Sequence, residues 1–272
     1  MGTDKRNRQK QNRQAAREAR ARQARRAKVR SRATLYGGVL AGVLVLVFAI
    51  NQLSGGDDAV PESTDTTFVE EAPSLSTVPG EQITGDTPCP KTDGSQARVT
   101  VFEKAPPTCI DAAKKYTATF DTSEGKIVVD LDTEKTPNTV NNFVVLSRYK
   151  YYDGSYIFRT DPSIDIIQGG GATNSDDPGY SIKDEGNGFT YEEGDLVMAR
   201  TGAPDSAGGQ FFFVTGEKAA LLNSQGTYVV FGKVSEGLDV VKTIIGLNSG
   251  SGSLGGAPSR TVEITSVTIA ES

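Results

Sequence analysis

The chain has 272 residues, a formal net charge of −5, two Cys and no His. Without His there can be no Ser-His-Asp triad, no Cys-His nucleophile and no His-built metal centre, and two Cys fall short of a four-thiolate zinc site. The charge is also split: residues 1–33 hold 13 Lys and Arg against Asp4 and Glu18, whereas the rest holds 16 Lys and Arg against 32 acidic residues.

The basic head, 1–33, is rich in helix formers and contains no aromatic residue. Base stacking therefore has no platform, and no nucleic-acid partner is expected. The head reads instead as a topology signal, a cytoplasmic tail lying near the inner membrane surface. The segment 34–53 reads as a transmembrane signal anchor. Its 19 uncharged residues, 35–53, rise ~1.5 Å each and match the ~30 Å hydrocarbon core of a bilayer. A cleaved signal peptide fits less well, because the charged region is long and no small-x-small cleavage site follows. Gly38 and Gly42 form a GxxxG, which is read as ordinary glycine tolerance in a membrane helix; oligomeric state stays open. The positive-inside rule places the remainder outside the cytoplasm.

Residues 54–87 are acidic and rich in Ser, Thr, Pro and Gly, the composition of a flexible, disordered stalk. Cys89 and Cys109, 20 positions apart, follow in a Pro-flanked extension, 88–115. In an oxidising compartment a single disulfide is the economical reading; a reactive thiol pair is less apt because the spacing is not CxxC. From Tyr116 to the C-terminus the sequence is that of a globular domain. Residues 116–131 alternate apolar and polar around Ser123-Glu124-Gly125, a hairpin signal. Thr136 is an N-cap candidate with Pro137 at the first helical position, and Val140, Phe143 and Val144 make a helical stripe. Short strands are expected at 156–159, 164–168, 195–200, 210–215 and 228–234, a second helix at 236–245 and a closing strand at 261–269. Many short strands with two helices imply a mainly β barrel or sandwich.

No conventional catalytic motif is present. Gly250 to Gly255 matches GxGxxG but has no strand before it or helix after it, so it reads as a loop. The residues that carry a likeness come in order: Phe158-Arg159, then Ile167-Gln168-Gly169-Gly170, then Pro178-Gly179-Tyr180 with Asp184-Glu185. Leu196 to Thr201 follows, then Pro204 to Phe212, then Val230 to Val234 with Gly237 to Val241. In this order and spacing residues 116–270 resemble the cyclophilins, peptidyl-prolyl cis-trans isomerases, and most closely their membrane-anchored bacterial members. The resemblance implies a closed eight-stranded antiparallel β-barrel capped by two helices, with no cofactor and no metal.

The resemblance also implies roles. Arg159 matches the catalytic arginine, and Gln168 and Phe212 complete the catalytic set, with Phe212 as the aromatic floor of the proline pocket. Gln210 matches a residue that holds the peptide backbone. Ile164 and Ile166 fall near the pocket wall, Ala199 and Arg200 line the adjoining groove, and Leu222 and Tyr228 take positions usually held by Trp and His. The usual His before the arginine is Phe158, and the loop after Arg159 is one residue longer than usual. With Leu221 or Leu222 at the Trp position an indole donor is lost, which implies weak cyclosporin binding. The expected function is isomerisation of X-Pro bonds in secreted or cell-surface proteins as they fold at the outer face of the membrane. The alternative is a catalytically weak module that binds proline peptides at the membrane.

Overall fold

In the computed structural model, residues 77–250 and 255–272 are described. The basic head, the expected membrane span with Gly38 and Gly42, most of the stalk and the middle of the GxGxxG pattern lie outside the described residues. Among the described residues no helix is long and apolar enough to cross a membrane.

Two short strands open the fold, β1 (Glu81–Ile83) and β2 (Val99–Phe102), paired in parallel. The end assigned to a flexible stalk is thus corrected: residues 81–83 are a strand. Their composition alone cannot show this, because their partner is β2. Cys89 and Cys109 are disulfide-bonded, as expected, closing the loop that contains β2. Closing a loop of this length removes unfolded-state entropy, so Cys89→Ser with Cys109→Ser is expected to cost ~3 kcal/mol. A urea midpoint unchanged from that of the oxidised protein would refute this.

The hairpin β3 (Tyr116–Thr122) and β4 (Gly125–Leu131) turns at Ser123-Glu124, as its sequence predicts. Period-two alternation sends Tyr116, Ala118 and Phe120, with Ile127 and Val129, to the buried face. After helix α1 (Pro137–Arg148) come β5 (Ser155–Asp161), β6 (Ile166–Gly171), β7 (Asp195–Met198) and β8 (Phe211–Val214). A 3-10 turn (Glu217–Leu222) leads to β9 (Val230–Glu236), helix α2 (Leu238–Gly246) and β10 (Glu263–Glu271). Strands β3 to β10 form one closed antiparallel barrel in the order β10-β3-β4-β9-β7-β8-β6-β5, sealed where β5 meets β10. Closure leaves no open sheet edge. This settles barrel against sandwich. It also shifts some boundaries: Ile164 sits in a turn before β6, Glu236 ends β9 rather than starting the helix, and α2 begins after Gly237. Gly237 has φ 82°, and a Cβ there would lie 2.2 Å from the Lys126 carbonyl oxygen, so the chain turns into α2 on glycine.

Helix α1 departs from its expected amphipathic form, with every residue from Thr139 to Arg148 buried. The barrel covers one side and the Cys-bonded extension another: Asn141 Oδ1 accepts from the Cys109 and Ile110 amides, and its Nδ2 donates to the Pro107 carbonyl. Thr136 holds the N-cap position, as expected, but its side chain makes no cap bond; that hydroxyl donates to the Asp132 carbonyl. Glu185 caps instead. Its carboxylate accepts from the Asn138 amide at 3.1 Å and the Thr139 amide at 2.9 Å, and from both side chains. A carboxylate at a helix N-terminus satisfies free amides and complements the helix dipole. Glu185→Ala is expected to cost about 1 to 2 kcal/mol, read as a lower urea midpoint.

The barrel interior is aromatic. Phe120, Phe143, Phe211, Phe213, Phe231 and Tyr152 are fully buried and meet mostly edge-on or tilted, with Phe143 stacked on Tyr152. The Phe211-Phe212-Phe213 run shows no polar alternation because both faces of β8 are covered. Phe211 and Phe213 join this core; Phe212 faces a second apolar cluster with Ile166, Tyr191 and Val197.

Candidate active site

That second cluster floors a cavity of about 490 Å³ on the outer face of β5, β6 and β8. All ten expected site residues line it: Arg159, Ile164, Ile166, Gln168, Ala199, Arg200, Gln210, Phe212, Leu222 and Tyr228. Strand register brings the central ones together. Arg159 is paired with Gln168 across β5 and β6, and Gln168 with Phe212 across β6 and β8. Directly paired residues share a face, so three positions distant in sequence form one row.

A chain of hydrogen bonds orders the polar side. Arg159 Nη2 donates to Asp161 Oδ2 at 2.7 Å, and Arg159 Nη1 donates to Gln168 Oε1 at 2.9 Å. Gln168 Nε2 donates to Gln210 Oε1 at 3.0 Å, and Gln210 Nε2 donates to the Asp176 carbonyl at 2.7 Å. The Asp161 side chain is only 2% exposed, so the guanidinium is anchored by a carboxylate from the barrel side. Sequence reasoning missed Asp161. Its signal was present: it stands two residues after Arg159 on one strand and so on the same face.

The apolar side is built from Phe212, 4% exposed, with Tyr228 and Tyr191 rings at 5.8 and 6.5 Å. Burial raises the Tyr191 pKa, so its hydroxyl stays protonated at neutral pH and donates to the Tyr228 carbonyl. Ile166 closes the wall from β6, with Ile164 beside it from the turn. Of the two candidates at the Trp position, Leu222 lines the cavity and Leu221 is 67% exposed. Ala199 and Arg200 follow the end of β7 rather than extending it. The Arg200 guanidinium lies over the Tyr228 ring at 5.4 Å and its Nη1 donates to the Ala203 carbonyl at 2.7 Å. It lines the cleft and also ties down its own loop, with Nη1 bonding to the Thr201 and Ala203 carbonyls. The far wall, Asp176, Asp177 and Tyr180, was not assigned from sequence. Tyr180 is raised in pKa by burial, and its hydroxyl donates to Asn142 Oδ1 at 2.7 Å.

An apolar aromatic floor beside a hydrogen-bonded guanidinium and two oriented amides can hold a short apolar segment and bond its backbone. Residues 117–269 match the family model described as cyclophilin type peptidyl-prolyl cis-trans isomerase/CLD. The chain belongs to that family. It is 38% identical over 168 residues to peptidyl-prolyl cis-trans isomerase B of Escherichia coli (strain K12), covering 56% of this chain and 99% of the relative. It is 38% identical over 144 residues to a peptidyl-prolyl cis-trans isomerase of Streptomyces antibioticus, covering 50% and 86%. Among solved structures, a cyclophilin type isomerase of Cryptosporidium parvum aligns with a TM-score of 0.50 at 26% identity, covering 57% of this chain and 98% of that one. The same protein has been solved in the presence of the dipeptide Ala-Pro. By family this chain is an enzyme, a peptidyl-prolyl cis-trans isomerase.

Proposed function

We propose that the cleft catalyses X-Pro isomerisation in proteins folding outside the cytoplasmic membrane, to which this chain is tethered. The observation that carries the catalytic part is the row Arg159, Gln168, Phe212 on one face of three neighbouring strands. Amide resonance opposes twisting with a barrier of ~18–20 kcal/mol. A catalyst must therefore bind the twisted amide better than either planar isomer. The prolyl ring rests on Phe212 and the neighbouring peptide groups bond to Gln168 and Gln210. As the amide twists, its nitrogen loses conjugation and becomes a hydrogen-bond acceptor, and the Arg159 guanidinium donates to it. Asp161 and Gln168 hold that guanidinium in place beforehand, so little reorganisation is needed at the moment of reaction. The Ala-Pro dipeptide used with the Cryptosporidium parvum relative supports a proline segment as the ligand class.

The location rests on the sequence: a basic head, then 19 uncharged residues, then acidic segments. The test has two arms. Exchange spectroscopy on an Ala-Pro peptide should show faster cis-trans exchange with the full chain present; binding without faster exchange would instead identify a proline-peptide module. Protease added to intact cells should degrade residues 77–272 while the protein resists alkaline extraction from membranes. Release by alkali would refute the tether.

A further inference from the structure

The far wall of the cleft is held from behind by a part of the chain outside the family match, which begins at residue 117. The Phe102 amide donates to the Pro178 carbonyl at 2.8 Å, and the Phe102 ring, 1% exposed, meets Tyr180 edge-on at 6.1 Å. Between them Gly179 has φ 97°, and a Cβ there would lie 2.5 Å from the Phe102 carbonyl oxygen. The two segments are therefore in backbone contact, with no room for a side chain. The segment so clamped carries Asp176, whose carbonyl accepts from Gln210, and Tyr180, whose hydroxyl bonds to Asn142.

The clamp is itself anchored. The Val99 amide donates to the Tyr149 carbonyl, and Arg98 donates to the carbonyls of Tyr151 and Asp153. The Cys89–Cys109 bond closes the loop around β2. Opposite the clamp, Gly208 packs against Pro178, and a Cβ there would lie 3.0 Å from the proline Cδ. The wall is thus gripped between β2 and the barrel.

We infer that Phe102 is a positioning residue for the substrate cleft: the disulfide-closed extension sets the Asp176–Tyr180 wall and, through it, Gln210. This rests on the isomerase reading above. A peptide long enough to lie along that wall depends on the wall itself as well as on Gln210; a minimal Ala-Pro peptide seated on Phe212 depends on it only through Gln210. Displacing a wall weakens substrate binding in ground state and transition state alike, which appears in KM rather than kcat.

The experiment uses the full chain with Phe102→Leu, which keeps an apolar side chain but loses the ring contact with Tyr180, beside Val99→Ala. Val99 is buried on the same strand at 2% exposure, and its anchoring bond to Tyr149 runs through the backbone amide, which Val99→Ala keeps. For a long peptide with one central Ala-Pro bond, Phe102→Leu should raise KM roughly fivefold with kcat unchanged, and Val99→Ala should not. The short Ala-Pro peptide, which meets the wall only through Gln210, should show a smaller rise in Phe102→Leu and none in Val99→Ala. An unchanged KM in Phe102→Leu, or an equal rise in Val99→Ala, overturns the inference. If the wild type binds the long peptide without turnover, the isomerase reading falls by itself. The clamp is then decided by the Kd from an NMR titration: a weaker Kd in Phe102→Leu alone supports it, and equal values overturn it.

Discussion

Arg159→Ala is expected to lower kcat/KM for X-Pro isomerisation by about 10²- to 10³-fold, the loss typical of removing one preorganised donor. Peptide binding should change far less, because the apolar floor on Phe212 remains. Arg159→Lys should recover only part of the activity. A lysine ammonium is a point charge on a flexible stem and cannot reproduce the fork that bonds Asp161 and Gln168 together. Asp161→Asn should fall between wild type and Arg159→Ala, since it leaves the arginine present but less firmly held. The measurement is exchange spectroscopy or a coupled isomerisation assay, with Kd from titration. An Arg159→Ala variant retaining more than about a tenth of wild-type kcat/KM would be inconsistent with electrostatic stabilisation by this side chain.

Phe143→Ala should have the largest effect on stability, about 3 to 5 kcal/mol. Phe143 is fully buried at the joint between α1 and the barrel, with ring neighbours Tyr152 at 5.1 Å, Phe231 at 5.2 Å and Phe120 at 5.8 Å. Truncation leaves a void that rigid aromatic neighbours fill poorly. Domains are commonly stable by only about 5–15 kcal/mol, so this variant should unfold at much lower urea with an unchanged m value. Phe143 packs against the Phe211 and Phe213 face of β8, opposite the cleft face that carries Phe212. The folded fraction should therefore keep its kcat/KM within about a factor of two. A loss below about 1 kcal/mol would mean that the helix can settle onto the barrel and close the void.

The phenylalanine run of β8 shows what a linear reading misses. Phe211, Phe212 and Phe213 are one apolar run, and nothing in it says that the middle ring faces a cleft while its neighbours fill the core. The motif resemblance picked out Phe212; β8 geometry supplies the reason. The hairpin around Ser123-Glu124, the Pro137 helix start and the disulfide were legible because each depends on few residues: alternation, fixed φ, and two cysteines with no third to compete. Helix α1 was legible as a helix but not as a helix buried nearly all round, because its outer cover comes from residues 88–115. Thr136 holds the N-cap position, but nothing beside it in the chain shows that its side chain leaves the first amides unbonded. Glu185, far along the chain, supplies the carboxylate that Thr136 next door does not. The strand Glu81–Ile83 was read as stalk because its composition is polar and its pairing partner lies inside the disulfide-closed loop.

By itself the sequence determined which chemistries this protein lacks, since without His no triad or His-built metal centre can form. The isomerase reading came from the likeness of its ordered motifs to the cyclophilins, not from composition. The sequence also determined the hairpin, the helices and the Cys pair, since these follow from the order of neighbours along the chain. Only the tertiary structure decided that Arg159, Gln168 and Phe212 stand in one row, that Asp161 anchors the arginine, and that Phe102 backs the opposite wall. Register between strands and contact between distant segments are settled by barrel closure and by side chains meeting across it, and those meetings leave no local trace in the order of residues.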